Sequence, residues 1–246
     1  MNKNLSGETF VINRLSPAKK ASLLQRLYDL HRQIFSGVSK DKLQSTVIEA
    51  SAEEILVRFY KTEDGTDVGF CILYRYQFEM ASGKIVVFRS DAGLLDRYRR
   101  KLTTLSFGLA NVFKYKFSHP FRKIYYFEPM VHPSSYHLFY KYFLTVYPSP
   151  KKIMPEHLNI LRMALRERFA MKPALSGSQD AVNAGWITRT TEDEHRQWQK
   201  MQYPDIDFFF EYNPGYKQGD GLLLILPVSF VNLFYCLFRI FLRRCR

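Results

Sequence analysis

Residues 55–89, ILVRFYKTEDGTDVGFCILYRYQFEMASGKIVVFR, carry the pattern that decides the fold class. Three segments, at 55–61, 67–80 and 84–89, are rich in the β-branched and aromatic residues that favour strands. The short segments between them contain Gly, Ser, Asp and Thr, which favour tight turns. Because each connection is this short, consecutive strands must run in opposite directions. The stretch therefore predicts an antiparallel meander of three strands.

Helical patterns lie on both sides of this meander. Ser16 and Pro17 are typical of a helix start, and leucines at helical spacing continue the helix to Phe35. The remaining pattern predicts helices from residue 39, over 94–113, 133–143 and 154–171, and from residue 191, with strands at 9–15, 123–131 and 186–190. The predicted fold class is therefore mixed α/β (α+β), with a mainly antiparallel central sheet flanked by helices.

Composition limits the class of protein and of partner. The chain has 246 residues, of which 46% are hydrophobic, so it has ample apolar material for a core and is not a disordered chain. Lys and Arg number 36 against 23 Asp and Glu, and the resulting charge of +13 indicates an anionic partner. Candidates are nucleic acid, an acidic carrier protein, cofactor phosphates and anionic lipid. The three cysteines are too few and too scattered for a zinc site and no common metal-binding spacing occurs, so we expect no metal site.

The longest apolar run is at 221–242, GLLLILPVSFVNLFYCLFRIFL, followed by a cluster of arginines. One helix of this length would be about 33 Å long, close to the hydrocarbon thickness of a bilayer. It could span the membrane, lie in the interface, or pack on the protein or on a second subunit. Pro227 and the terminal arginines disfavour spanning, whereas an interfacial helix would place Arg239 on lipid phosphates. We expect a C-terminal hydrophobic helix that contacts membrane lipid, with the main domain on the cytoplasmic side.

The order of the predicted elements resembles that of the GCN5-related N-acetyltransferase (GNAT) family over residues 9–150. Two stretches also carry the resemblance: 84–104, KIVVFRSDAGLLDRYRRKLTT, and 132–143, HPSSYHLFYKYF. In the family, an R-x-x-G-x-G/A turn in the first stretch holds the pyrophosphate of acyl-CoA on backbone N–H groups at a helix N-terminus. Arg100 and Leu102 stand at the two glycine positions here, where side chains obstruct a close approach of backbone to phosphate. The second stretch is similar to a family helix of the form A-x-x-L-Y-x-K-x-G-F.

The resemblance implies an acyltransferase that uses acyl-CoA, or the acyl-phosphopantetheine of an acidic carrier protein, and an amine acceptor. Tyr140 matches the family tyrosine and is the expected acid for the departing thiolate. Glu128, at the end of a strand, and His132, just beyond it, are the expected bases. The side chains expected to bind the donor phosphates are those of Arg89, Arg97, Arg99, Arg100 and Lys101.

Each of these residues also has a purely structural interpretation. Glu128 would be a hydrogen-bonded buried carboxylate, His132 a helix-terminal residue and Tyr140 a core aromatic residue, while the arginines would form a solvated basic face. A non-catalytic, membrane-associated protein that keeps the GNAT-like fold without binding a cofactor is therefore the alternative function. We expect no nucleic-acid partner, since the basic residues are dispersed and no recognition motif occurs.

The expected domain organisation has three parts. We predict a GNAT-like acyltransferase domain at 1–153 and a helical, aromatic extension packed on it at 154–220. The membrane-associating tail follows at 221–246. Neither a repeat nor a Gly/Ser-rich linker divides the first two parts.

Overall fold

A computed structural model describes residues 5–48, 50–80, 83–99 and 103–244, with the side chains of residues 103 and 244 excepted. The chain forms two compact units, Met1–Arg122 and Lys123–Arg246. The predicted boundaries near residues 153 and 220 remain predictions.

The first unit contains the predicted meander. Its strands are β1 (Ser6–Val11), β2 (Phe35–Ser36), β3 (Glu54–Lys61), β4 (Asp67–Met80) and β5 (Gly83–Leu94). Its helices are α1 (Pro17–Ile34), α2 (Lys40–Leu43) and α3 (Thr103–Ser118). Strands β1, β3, β4 and β5 follow one another in an antiparallel sheet, so the meander expected at 55–89 is confirmed.

Local sequence explains where α1 begins, but not where α3 does. Ser16 caps α1 by accepting a hydrogen bond from the backbone N–H of Lys19, and Pro17 occupies the first helical position. The helix expected at 94–113 is displaced, because β5 stays paired with β4 as far as Leu94 and α3 begins only at residue 103. The residues that extend β5 have no strand pattern of their own, so the pairing with β4 places them in the sheet.

The second unit has its own antiparallel strands and five helices in the described residues. The strands are β6 (Lys123–Met130), β7 (Lys172–Pro173), β8 (Ala181–Asn183), β9 (Ile187–Thr188) and β10 (Asp220–Pro227). The helices are α4 (Pro133–Tyr142), α5 (Glu156–Arg168), α6 (Glu192–Lys200), α7 (Pro204–Tyr212) and α8 (Phe230–Arg244). The sheet order here is β6, β10, β8, β7. The mixed α/β class with mainly antiparallel strands and flanking helices is thus confirmed, whereas α7 was not expected.

The C-terminal apolar run does not form one helix. Strand β10 covers its first part, between β6 and β8, and is buried almost throughout. After Pro227 the chain turns, and Ser229 caps α8 by accepting a hydrogen bond from the N–H of Asn232. The expected helix over 221–242 is therefore wrong: a strand buried on both faces and a buried helix have the same apolar pattern, and only the partner strands distinguish them.

Helix α8 has 15 residues, which corresponds to about 22 Å. Across the residues that the structure describes, no helix is both long enough and apolar enough to cross a membrane. The spanning interpretation of the tail is thus not supported.

Candidate functional site

Helix α4 follows β6 directly, and its start is determined by two residues of the quoted stretch 132–143. Pro133 occupies the first helical position, and Nδ1 of His132 accepts a hydrogen bond from the N–H of Ser134 at 3.2 Å. The hydroxyl of Ser134 lies 2.7 Å from the same nitrogen. Because Nδ1 accepts the backbone hydrogen bond, the neutral ring carries its proton on Nε2. This geometry matches the structural interpretation of His132, and its role as a base stays a prediction.

Two tyrosines one turn apart on α4 have different surroundings. The hydroxyl of Tyr136 donates a hydrogen bond to the carbonyl of Pro148 at 2.9 Å, inside the core. The hydroxyl of Tyr140, the expected acid, is also buried, but it has no hydrogen-bond partner among the described residues. The two rings lie 6.4 Å apart. Leaving a buried hydroxyl unpaired costs about 1–3 kcal/mol, which makes this group a candidate for a ligand contact, although five other buried polar atoms in the described residues are also unpaired.

A histidine–carboxylate pair lies beside these tyrosines. His137 on α4 and Asp205 in the first turn of α7 are joined by a 2.7 Å hydrogen bond between Nδ1 and Oδ2. The Asp205 side chain is 3% exposed and that of His137 is 21% exposed. If Nδ1–H donates to the carboxylate, Nε2 carries a lone pair, which is the form of a general base. The helix N-terminus also favours the negative charge of Asp205.

The same group of residues is coupled electrostatically. Burial raises the pKa of Tyr136 far above its ordinary value, and the nearby Asp205 and Tyr140 raise it further. The Tyr136 phenol therefore stays protonated and keeps its hydrogen bond to Pro148. We call Tyr136, His137, Tyr140 and Asp205 the α4–α7 cluster.

Aromatic side chains surround the α4–α7 cluster. The ring of Trp198, on α6, lies 6.0 Å from His132 and 6.1 Å from His137, and the ring of Tyr203 lies 5.1 Å from His137. The apolar surfaces of these rings lower the local polarity, which strengthens the interaction between His137 and Asp205.

A histidine–tyrosine pair connects α6 to the segment before β10. His195 Nδ1 and the hydroxyl of Tyr216 are hydrogen bonded beside an open cleft of about 520 Å³. Burial and the charge of Lys217 lower the pKa of His195, while Glu192 opposes this change. Burial, followed by Glu192, raises the pKa of Tyr216 to about 12. The pair is thus neutral near pH 7, and it holds α6, which carries Trp198, in place.

Glu128, the other expected base, lies on β6. Its side chain is buried, and its backbone is in register with Leu224 of β10. The position is thus in the interior of a sheet, where a carboxylate requires hydrogen bonding or charge pairing. Glu128 thus lies on the strand before α4, and its role as a base stays a prediction.

In the first unit, Arg89 belongs to a polar group on β4 and β5. Arg89 is the partner of Tyr74 in the register of the two strands. The hydroxyl of Tyr74 donates a hydrogen bond to Oδ2 of Asp91 at 2.9 Å. Desolvation raises the pKa of Asp91, against the opposing effects of the Arg89 charge and the Tyr74 hydrogen bond. Asp91 is therefore a perturbed carboxyl group inside the stretch 84–104, which sequence reasoning did not single out.

The other expected phosphate-binding residues lie between β5 and α3. The guanidinium of Arg97 lies 5.0 Å from the ring of Tyr98, and the side chain is exposed. Arg99 donates from Nε to the carbonyl of Leu94 at 3.2 Å and lies 3.7 Å from Asp96. Arg97 thus has the more accessible charge of the two. Arg100 and Lys101 lie outside the described residues.

Sequence reasoning missed His137 and Asp205. His137 is part of the quoted stretch, but its partner is 68 residues away, in a part of the extension at 154–220 where the helix α7 was not predicted. The combination of Pro204 with two aspartates, a helix-start signal, could have revealed α7 and hence Asp205. Within the described ranges, no group of three or more His, Cys, Asp or Glu side chains is arranged to hold a metal ion.

No family model matches this sequence, and no curated protein matches it either. Among solved structures, Arabidopsis thaliana NAA60 in complex with acetyl-CoA is similar at 11% identity over 91% of this chain and 99% of that chain, with a TM-score of 0.37. A bacterial toxin is similar at 12% identity over 61% and 87%, with a TM-score of 0.36.

An aminoglycoside acetyltransferase from an uncultured soil metagenomic sample, in complex with sisomicin, is similar at 16% identity over 50% and 76% of the two chains. Its TM-score is 0.30. All three scores are low, so the functional argument rests on the residues of this chain.

Proposed function

We propose that this chain is a GNAT-like N-acyltransferase whose donor is acyl-CoA or an acyl carrier protein and whose acceptor is an amine. One observation carries the proposal. Helix α4 holds a histidine oriented by a buried carboxylate and, three residues later, a buried tyrosine hydroxyl without a partner among the described residues. Residues three apart lie on the same side of a helix, so His137 and Tyr140 form a base and an acid on one element.

These two groups match the proton transfers of aminolysis of a thioester. A bond forms between the amine nitrogen and the acyl carbon, and the carbon–sulfur bond breaks. Nε2 of His137 takes the proton that the amine loses, and the hydroxyl of Tyr140 gives a proton to the departing sulfur. When bound, the thioester supplies an electrophilic carbonyl. Asp205 keeps the proton of the neutral imidazole on Nδ1 and stabilises the imidazolium that forms.

The hydroxyl of Tyr140 is closed off from solvent, so a donor reaches it only when neighbouring side chains move. A thiol or thioester sulfur, or an oxygen of the donor, would complete its hydrogen bonding and remove the cost of its burial. Within the first unit, the exposed charge of Arg97 supports its expected role in phosphate binding. The expected roles of Arg89, Arg99, Arg100 and Lys101 in phosphate binding belong to the same proposal.

The alternative is a non-catalytic protein that keeps the fold without binding an acyl donor. Arg100 and Leu102, which replace the two family glycines, favour this alternative because side chains at these positions obstruct backbone contacts to a pyrophosphate. Direct measurement of donor binding distinguishes the two functions.

Native mass spectrometry of the full chain with acyl-CoAs of several chain lengths, and with acylated carrier protein, tests donor binding. A thiol-release assay with a panel of amines then tests transfer. We expect His137→Gln to lower kcat about 10²- to 10⁴-fold without loss of donor binding. The matched control is His157→Gln, on the exposed surface of α5, which should leave both binding and turnover unchanged.

The outcomes separate the functions clearly. Binding of a donor with turnover that depends on His137 supports the acyltransferase. Absence of binding to every acyl-CoA and to the carrier protein would favour the non-catalytic alternative. Turnover that is unaffected by His137→Gln would leave an acyltransferase but would remove His137 from its mechanism, making Glu128 and His132 the bases to test next.

We also propose that the chain associates with a membrane through α8, with the rest of the protein on the cytoplasmic side. The support is the outer surface of α8, where large apolar side chains are exposed in the described structure. A membrane location would place the acyltransferase near long-chain acyl groups or lipid-like amines.

A further inference from the structure

Helix α8 is held firmly on the second unit through one buried side chain. The amide of Asn232 accepts a hydrogen bond from the N–H of Thr145 at 2.8 Å and donates to the carbonyls of Thr145 and Pro227 at 2.9 and 2.8 Å. Leu233 and Cys236, on the same side of the helix, are also buried. These contacts fix the rotation of α8 about its axis, so the opposite side of the helix faces away from Asn232, Leu233 and Cys236.

The outer side of α8 is apolar. At about 100° per residue, its exposed apolar side chains cover an arc of about 140°. Phe238 is 56% exposed and Phe241 is 62% exposed. The exposed apolar residues that make up this outer face are Val231, Phe234, Leu237, Phe238, Phe241 and Leu242. Soluble proteins seldom expose so many large apolar side chains on one helix face, so the face is an interaction surface.

Positive charge lies along one edge of this outer face. Arg239 lies about 60° from the nearer edge of the apolar arc, whereas Arg243 lies on the side of Asn232, where its guanidinium N–H donates to the hydroxyl of Tyr142 at 3.3 Å. The helix contains no Asp or Glu. An apolar face with a basic residue at its edge is complementary to a surface with an apolar interior and anionic head groups.

A neighbouring loop has the same character. Leu144, next to the residue that binds Asn232, is exposed, and Ile153 is almost fully exposed. Nζ of Lys152 donates to the carbonyl of Leu144 at 2.6 Å, which keeps a cation close to this apolar side chain. Apolar side chains beside lysines thus occur on a second segment that contacts α8.

From these observations we infer that α8 lies in the plane of the membrane and binds anionic phospholipid. The outer face enters the boundary between head groups and acyl chains, while Arg239 contacts lipid phosphates. Asn232 holds the helix against the protein, so binding requires no unfolding of α8. This inference rests on the membrane part of the proposed function but does not depend on acyl transfer.

Co-flotation of the full chain with vesicles tests the inference. One vesicle type is phosphatidylcholine alone, and the other also contains phosphatidylglycerol. We expect binding to the anionic vesicles, weakened by added salt. The double variant Phe238→Ser, Phe241→Ser should lower the vesicle partition coefficient about tenfold or more, and Arg239→Gln should lower it about fivefold.

Two matched controls change similar residues elsewhere on the second unit. Ile160→Ser removes an exposed apolar side chain from α5, and Arg196→Gln removes an exposed cation from α6. Both should bind vesicles as the unaltered chain does. Because Phe238 and Phe241 are exposed, the double variant should keep the circular dichroism and the Tm of the unaltered protein, and these measurements establish that it is folded.

Each contrary result has a distinct meaning. Equal binding to both vesicle types would overturn the anionic-lipid inference but keep membrane association. No binding to either vesicle type would overturn both the anionic-lipid inference and membrane association. Donor binding in native mass spectrometry is a separate measurement, so that result would not affect the acyltransferase proposal. A dimer in analytical ultracentrifugation that the double variant dissociates would assign the outer face to a second copy. Resistance of membrane-bound protein to alkaline carbonate extraction would contradict an in-plane helix.

Discussion

Tyr140→Phe should lower activity without lowering stability, and Tyr136→Phe should lower stability without lowering activity. Both changes remove one hydroxyl from the same face of α4. The Tyr136 hydroxyl has a buried carbonyl partner, Pro148, whereas the Tyr140 hydroxyl has no hydrogen-bond partner among the described residues. The pair is therefore an internally matched test of the chemistry assigned to Tyr140.

The expected free energies follow from these contacts. Tyr136→Phe leaves the carbonyl of Pro148 buried and unpaired, which lowers the free energy of unfolding by about 2 kcal/mol. In a protein of this size that corresponds to a decrease in Tm of about 4–8 °C. Tyr140→Phe removes a hydroxyl that lost its water without gaining a partner, so stability should stay the same or rise by up to about 1 kcal/mol.

Thermal and urea unfolding measure the stabilities, and the thiol-release assay measures turnover. Tyr140→Phe should lower kcat about 10²-fold or more, because no acid then protonates the departing sulfur, while Tyr136→Phe should keep kcat at a temperature where it is folded. A loss of stability in Tyr140→Phe equal to that in Tyr136→Phe would refute the reasoning, since the hydroxyl would then have a partner in the folded protein. An unchanged kcat in Tyr140→Phe would exclude it as the acid.

Two further predictions concern stability. Burial lowers the pKa of His31 to about 4, so the unfolded state binds this proton near pH 6.5 and the folded state only near pH 4. Stability should therefore fall with decreasing pH, by about 2 kcal/mol between pH 7.5 and pH 5. Urea unfolding at both pH values checks this, and His31→Leu should remove that part of the pH dependence; an unchanged dependence would contradict the assignment. Asp180→Ala should lower the free energy of unfolding by about 1.5–3 kcal/mol, because it leaves the buried guanidinium of Arg162 without its carboxylate partner at 2.8 Å. Restoration of stability in the double variant with Arg162→Met is the expected control result, and a neutral Asp180→Ala would show that the ion pair does not stabilise the fold.

Much of the fold could be predicted from local pattern. The meander at 55–89, helix α1 with its Ser16 cap, and the succession of β6 and α4 all appear in the structure close to their expected bounds. Each depends on residues within a few positions of one another, such as turn formers between strands or a cap at a helix start. The candidate acid Tyr140 was also identified this way, because it lies in a local motif.

The rest depended on contacts between distant segments. The apolar residues at 221–227 have the pattern of either a buried strand or a helix, and their antiparallel hydrogen bonds to β6 and β8 make them a strand. His137 has no special meaning in sequence until Asp205, 68 residues later, is placed against its ring.

The sequence by itself thus determined the α/β class, the basic charge and the presence of an apolar C-terminal region. Only the tertiary structure decided that this region is a central strand followed by an amphipathic helix, and that a buried carboxylate orients a histidine on α4. The physical reason is the same in both cases. Caps, turns and periodicity act over a few residues, whereas the partner of a strand or of a buried polar group is chosen by packing across the whole unit.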